Sequence, residues 1–182
     1  MLTEEYGFCY FKLDDYLERY LDFAKNQGAP YSLKAVNMST DELWLRDPKV
    51  LAREELAIYE ELFQFAQADI RNLDCNKPII AEGAGFLPNL VKAAGIAEDS
   101  YICIVPTKEF QYKKYSERDW VSDILKDSCN KEQAFINWME RDVLFAESVR
   151  NSAVNLGYKT ILVSESSKVS TTYETVKKVF GL

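Results

Sequence analysis

Apolar and polar positions alternate through "GFCYFKLDD" (7–15), which is the period of a half-buried strand, and the run stops at Asp14 and Asp15. The period then changes. "YLERYLDFAKNQG" spaces its apolar residues by three and four, predicting a helix stopped at Gly28. Signals are mixed in "YSLKAVNMSTDELWLRDP": Ser39 or Thr40 can cap a short helix with Asp41 and Glu42 in its first turn, and Pro48 breaks it. From Lys49 to about Leu73, apolar positions including Val50, Leu51, Leu56, Leu62, Ala66 and Ile70 recur at helical spacing, predicting one long amphipathic helix.

Pro78 opens the strand "IIAEG", and Pro88 stands where the helix "NLVKAAGI" starts. "YICIVP" (101–106) and "KTILVSE" (159–165) are further strands, apolar without interruption at their centres. Between them run a charged stretch and a second long helix from about Lys131 to Asn155, and "TTYETVKKVFGL" closes the chain as a helix. Continuous apolar strands alternating with helices predict an α/β fold with a mainly parallel sheet covered on both faces, a three-layer α/β/α arrangement. No repeat, low-complexity segment or linker divides the chain, so 1–182 reads as one domain.

Composition narrows the function classes. A formal charge of −7 repels polyanions, and the one basic stretch, "KEFQYKKYSER", sets four cations against two acids, so no nucleic acid is expected as partner. No apolar run approaches the ~18 residues of a membrane span, and "MLTEEYGF" lacks the parts of a signal peptide. The chain reads as cytoplasmic and apart from membranes. There is no histidine, which removes imidazole as base or ligand, and the cysteines at 9, 75, 103 and 129 show no CxxC spacing. Each reads as a small buried or half-buried thiol.

Ligands of open parallel sheets bind at the carboxyl ends of the strands. Three predicted strands end in acids there: Asp14 with Asp15, Glu82 before Gly83, and Glu165. Such carboxylates can hold magnesium through waters or accept a proton from a substrate hydroxyl. They can equally be helix caps or solvated turns, the reading preferred for Glu165.

"YFKLDDYL", "PIIAEGAGFLP", "IVPTKEFQYKKYSERDWVSDIL", "NWMERDVLFAESVRNSAVNLGYKTILVSE" and the terminal "VFGL" resemble successive parts of the P-loop kinase superfamily. The nearest likeness is to bacterial kinase-like proteins related in architecture to adenylate, shikimate and nucleoside kinases. The resemblance implies ATP and Mg2+ as cofactors, a small-molecule acceptor, and a lid at about 106–142. It makes Asp15 the candidate base with Asp14 its neighbour, and Glu82 the acid that orients magnesium or substrate, so that Asp15 and Glu82 would be the metal-side residues. Arg118 and Arg141 would close over the phosphates, where a planar fork of donors suits a transferring phosphoryl group. Lys113 and Lys114 are further phosphate-side candidates, and Trp44 and Arg46 fall where the acceptor binds. Each has a structural alternative: Arg141 could pair with Asp142 or Glu140, Arg118 with Glu117 or Asp119, and Trp120 and Trp138 could simply be core.

One departure is large. The superfamily's first strand and its phosphate loop, GxxxxGK[ST], are missing from these residues, and "MLTEEYGF" looks like the second half of the helix that follows that loop. About twenty residues carrying the strand and loop are expected to precede Met1. Losing three or four of the loop's charge-assisted hydrogen bonds costs on the order of 4–6 kcal/mol, so ATP binding is expected to be weak or absent. Without the first strand, "PIIAEG" and "YICIVP" should close on each other or recruit a partner chain, for instance as a homo-oligomer. Two readings follow. The parent protein is an ATP-dependent kinase of a small hydroxylated metabolite or nucleoside, with these 182 residues inactive alone; alternatively, the chain is a non-catalytic binding or assembly module derived from a kinase.

Overall fold

A computed structural model describes every residue, Met1–Leu182. The first elements are α1 (Leu2–Tyr6), β1 (Cys9–Lys12), α2 (Leu17–Asn26), α3 (Pro30–Val36), α4 (Thr40–Trp44) and α5 (Pro48–Arg71). They are followed by β2 (Ile79–Glu82), α6 (Pro88–Ala93), β3 (Ile102–Pro106), α7 (Lys108–Ser116), α8 (Asp119–Ile124), α9 (Lys131–Asn155), β4 (Lys159–Val163) and α10 (Val169–Val179). Short 3-10 turns cover Leu13–Tyr16 and Glu98–Ser100.

The residues gather into two compact units: Met1–Asn37 with Leu56–Leu87, and Met38–Glu55 with Pro88–Leu182. Each holds one pair of parallel strands. In the first unit β1 runs beside β2 with Cys9 opposite Ile79 and Lys12 opposite Glu82. In the second, β3 runs beside β4 with Ile102 opposite Lys159 and Pro106 opposite Val163. The α/β character and the parallel pairing agree with the sequence reading. The single covered sheet does not form: the four strands make two separate two-stranded sheets, β2 and β3 share no ladder, and each strand finds its partner inside its own unit. The segment 106–142, expected as a lid, lies in the second unit as α7, α8 and the start of α9.

Local chemistry explains the elements. Ser39 and Glu42 form a reciprocal capping box that starts α4, Thr107 accepts from the Phe110 N–H to start α7, and Asn130 accepts from the Gln133 N–H to start α9. Gly28, at φ 74°, takes the left-handed turn after α2. α3 was hidden in the mixed segment because its cap comes from afar. Pro30 occupies its first turn, and the Glu61 carboxylate on α5 accepts from the Tyr31 N–H (2.9 Å), the Ser32 N–H (2.8 Å) and the Ser32 hydroxyl (2.6 Å).

The first unit buries Phe11, Leu13, Tyr20, Ala24, Leu62 and Ala66, with stacked rings running from Phe11 through Tyr16 and Tyr20 to Phe65. The second buries Trp44, Val121, Leu125, Ala134, Trp138 and Met139.

The reading of the cysteines needs correcting. Cys9 and Cys75, half-buried as expected, are joined in a disulfide with Cα atoms 6.5 Å apart; Cys103 is a buried free thiol, as read, and Cys129 is free but exposed. A separation of 66 residues gives no local signal; only the parallel pairing of β1 with β2 brings the two together. No helix is long and apolar enough to cross a membrane.

Candidate functional site

The strand expected over 7–15 ends early. Pairing stops at Lys12, and Asp14 and Asp15 sit in the 3-10 turn that turns the chain toward α2. Leu13, between them and the strand, is fully buried and fixes this turn, leaving both aspartates exposed. Glu82 ends β2 opposite Lys12, so the three carboxylates stand at the carboxyl edge of one parallel pair, as the sequence reading placed them.

Tyr10 reports on their grouping. Its hydroxyl donates to Glu82 Oε1 at 2.7 Å, and its pKa is pushed up to about 12, first by that hydrogen bond, then by desolvation and by the charges of Glu82, Asp15 and Asp14. Lys12 offsets part of the negative charge, with Nζ 3.6 Å from Asp15 Oδ1. Sequence reasoning passed over Tyr10, whose side chain points out of the alternation as an ordinary exposed strand residue. The cross-strand register is what gives it a partner.

The glycines after Glu82 have a packing explanation. A Cβ on Gly83, whose φ is 144°, would stand 2.6 Å from Leu13 Cβ, and one on Gly85 would stand 2.7 Å from the Tyr59 ring and 2.9 Å from Leu13 Cδ1. "EGAG" is thus the sequence needed to bring β2 out past Leu13 and Tyr59.

In the second unit, Trp44, Arg118 and Arg141 meet around the chain's three tryptophans. Trp44 and Trp138 stack at 4.7 Å between ring centroids, and the Arg141 guanidinium lies 5.0 Å over Trp44. Arg141 is committed to carboxylates: Nη1 is 3.0 Å from Glu55 Oε2, and Nε donates to Asp142 Oδ1 at 2.6 Å. Of the two pairings the sequence allowed, Asp142 is taken and Glu55, two turns into α5, is added. Burial pushes Asp142 up to about 6; Arg141 opposes the rise and Glu55 adds to it.

Arg118 takes neither neighbouring acid. Its guanidinium stacks 4.5 Å from the Tyr115 ring and 5.5 Å from Trp120, at the exposed rim of the same cluster. Trp138 is core at 6% exposure, whereas Trp120 remains 44% exposed. Arg46 is engaged with Glu54 at 2.9 Å.

The two candidate lysines are also paired, Lys113 with Glu165 after β4 and Lys114 with Glu117 at 2.7 Å. A cleft of about 430 Å³ lies against β4 and the first turns of α10, lined by Ile161, Ser166, Ser167, Lys168, Thr171 and Thr172. None of the residues singled out in the sequence lines it. No family model, curated protein or solved structure matches this chain.

Proposed function

We propose that this chain is a P-loop kinase-like domain whose parent transfers a phosphoryl group to a small hydroxylated metabolite or nucleoside. Self-association through the open strand edges belongs to the same proposal. The observation that supports it is the placement of Asp14, Asp15 and Glu82 at the carboxyl edge of one parallel strand pair, where the Tyr10 hydroxyl donates to Glu82. Carboxylates so placed can orient an acceptor hydroxyl and take its proton, with Asp15 as base, Asp14 beside it, and Glu82 held in position by Tyr10.

Mg2+ and ATP belong to the parent protein in this proposal, with weak or absent binding by these residues. No three acidic or thiol side chains converge as a metal-holding group, and Asp15 and Glu82 each have a neighbour of their own. The sequence holds no GxxxxGK[ST], and Lys113, Lys114 and Arg141 are neutralised by carboxylates within the second unit. Arg118 alone among these cations has no carboxylate partner, which makes it the candidate for a phosphate group.

The same neutralised cations favour a second reading, a non-catalytic binding or assembly module. Calorimetric titration of the 182-residue chain with nucleosides, sugars and Mg·ATP separates the two. Nucleoside or sugar binding that is lost in Asp15→Asn and Glu82→Gln, with the fold intact, supports a kinase acceptor site. If no hydroxylated ligand binds, the kinase reading is abandoned for the module.

A further inference from the structure

Cys9 is the first residue of β1, and Cys75 lies in the segment between α5 and β2, where its N–H donates to the Leu73 carbonyl at 2.8 Å. Their disulfide therefore ties the amino ends of two paired strands, at the end opposite Lys12 and Glu82. The ladder it ties is short: only four residues of each strand are in register and no third strand joins the sheet, so beyond the packing of Phe11 the pairing rests on few hydrogen bonds. Closing a loop between residues 66 apart removes much of the entropy that would separate them.

The bond is also reachable. Both cysteines are half-buried, and Asp74, Asn76 and Lys77 around Cys75 are exposed. Lys77 brings a cation to this corner: its Nζ lies 3.0 Å from where a Cβ on Gly7 would stand, beside the chain that leads into Cys9. Its carbonyl oxygen is 3.4 Å from Cys75 Sγ, positioned to accept from that thiol once reduced. The other two cysteines lie in the second unit. Burial pushes the Cys103 thiol up, and the Asp41 carboxylate does the same to Cys129.

We propose that Cys9–Cys75 is a reversible redox clamp on the β1–β2 pair, opened by a dithiol reductant and closed by a disulfide oxidant. In opening, one thiolate of the reductant bonds to Cys75 Sγ, the bond to Cys9 breaks, and its electron pair leaves on Cys9 Sγ as thiolate. The reductant's second thiolate then attacks its own sulfur in the mixed disulfide and releases the Cys75 thiolate. Two electrons pass to the protein, the reductant ends as a disulfide, and both cysteine thiolates take up protons according to pH. Closing runs the same exchange backward with a disulfide such as oxidised glutathione. With the clamp open, β1 and β2 part readily; with it closed, they remain paired.

Thiol alkylation with mass spectrometry, combined with amide hydrogen exchange on the full chain before and after dithiothreitol, tests this. Cys9 and Cys75 should be alkylated only after reduction. Amides of residues 10–12 and 80–82 should then exchange roughly tenfold faster or more, while β3 and β4 are unchanged, and oxidised glutathione should restore the slow pattern. Cys9→Ser should show the fast pattern with or without reductant; should that variant not fold, the reduction and reoxidation of the native chain decides alone. The proposal is overturned if both cysteines alkylate without reductant, if reduction leaves β1 and β2 exchange unchanged, or if β3 and β4 accelerate equally.

Discussion

The Tyr10 hydroxyl donates a 2.7 Å hydrogen bond to Glu82 across two parallel strands, although the two residues lie 72 positions apart. The bond keeps the proton on the phenol. Glu82→Gln should therefore bring the titration of Tyr10 back from about 12 toward its ordinary 10.0, since the hydrogen bond to the carboxylate is the largest cause of the rise. The Tyr10 ring carbon bearing the hydroxyl, followed by NMR against pH, reads this directly. An unshifted titration in the variant would mean that Glu82 does not hold Tyr10 in solution.

Gly83 and Gly85 should tolerate alanine badly. At Gly83 the added Cβ meets Leu13 Cβ at 2.6 Å from a backbone at φ 144°, so Gly83→Ala should cost about 2–4 kcal/mol in denaturant unfolding. Gly85→Ala should cost about 1–3 kcal/mol, because the contacts are a ring edge and a methyl that can shift slightly. Combining Gly85→Ala with Leu13→Ala should cost less than the two singly, as the second change vacates the space the first needs. Strict additivity would show that the glycine is required for some reason other than Leu13.

These glycines show how far the sequence could be read. Apolar spacing located the long helix Lys131–Asn155 and the four strands, because burial of one stripe or one run dominates those segments. It also placed Asp14, Asp15 and Glu82 at strand ends. What escaped were the features made by residues distant in sequence: the Glu61 cap on α3, the Cys9–Cys75 bond, and the Glu55 partner of Arg141, 86 positions away. Nor did strand existence determine which strands would pair. Four buried-looking strands are compatible with one sheet or two, and only the register decides.

Arg118 and Arg141 should behave oppositely on truncation. Arg141, with 13% of its side chain exposed, stands between Glu55 and Asp142, so Arg141→Ala leaves acids in a poorly solvated place and should cost about 3–5 kcal/mol. Arg118 stacks on Tyr115 and Trp120 at the surface, worth about 0.5–1 kcal/mol. Arg118→Ala should leave stability nearly unchanged and, if Arg118 receives an anionic ligand, weaken phosphate binding alone. Equal destabilisation by the two variants would contradict the burial difference between them.

Asp142 makes stability fall as pH rises through the mildly acidic range. Burial raises its carboxyl from 3.8 to about 6, so between those values the folded chain holds a proton that the unfolded chain has released. Its contribution is fully present below 3.8 and is lost as pH climbs through about 6, the reverse of a carboxylate stabilised by its ion pair. At neutral pH the penalty is on the order of 3 kcal/mol, since Arg141 recovers only part of the cost of burying the charge. Asp142→Asn keeps the shape and an oxygen for the Arg141 N–H but cannot ionise. Urea unfolding of both proteins between pH 4 and 7 should give a curve for the variant that lacks the native chain's decline across this window. Parallel curves would show that Asp142 ionises at its ordinary value, and that the cluster of Arg141, Glu55 and Trp44 is more open to water than its packing indicates.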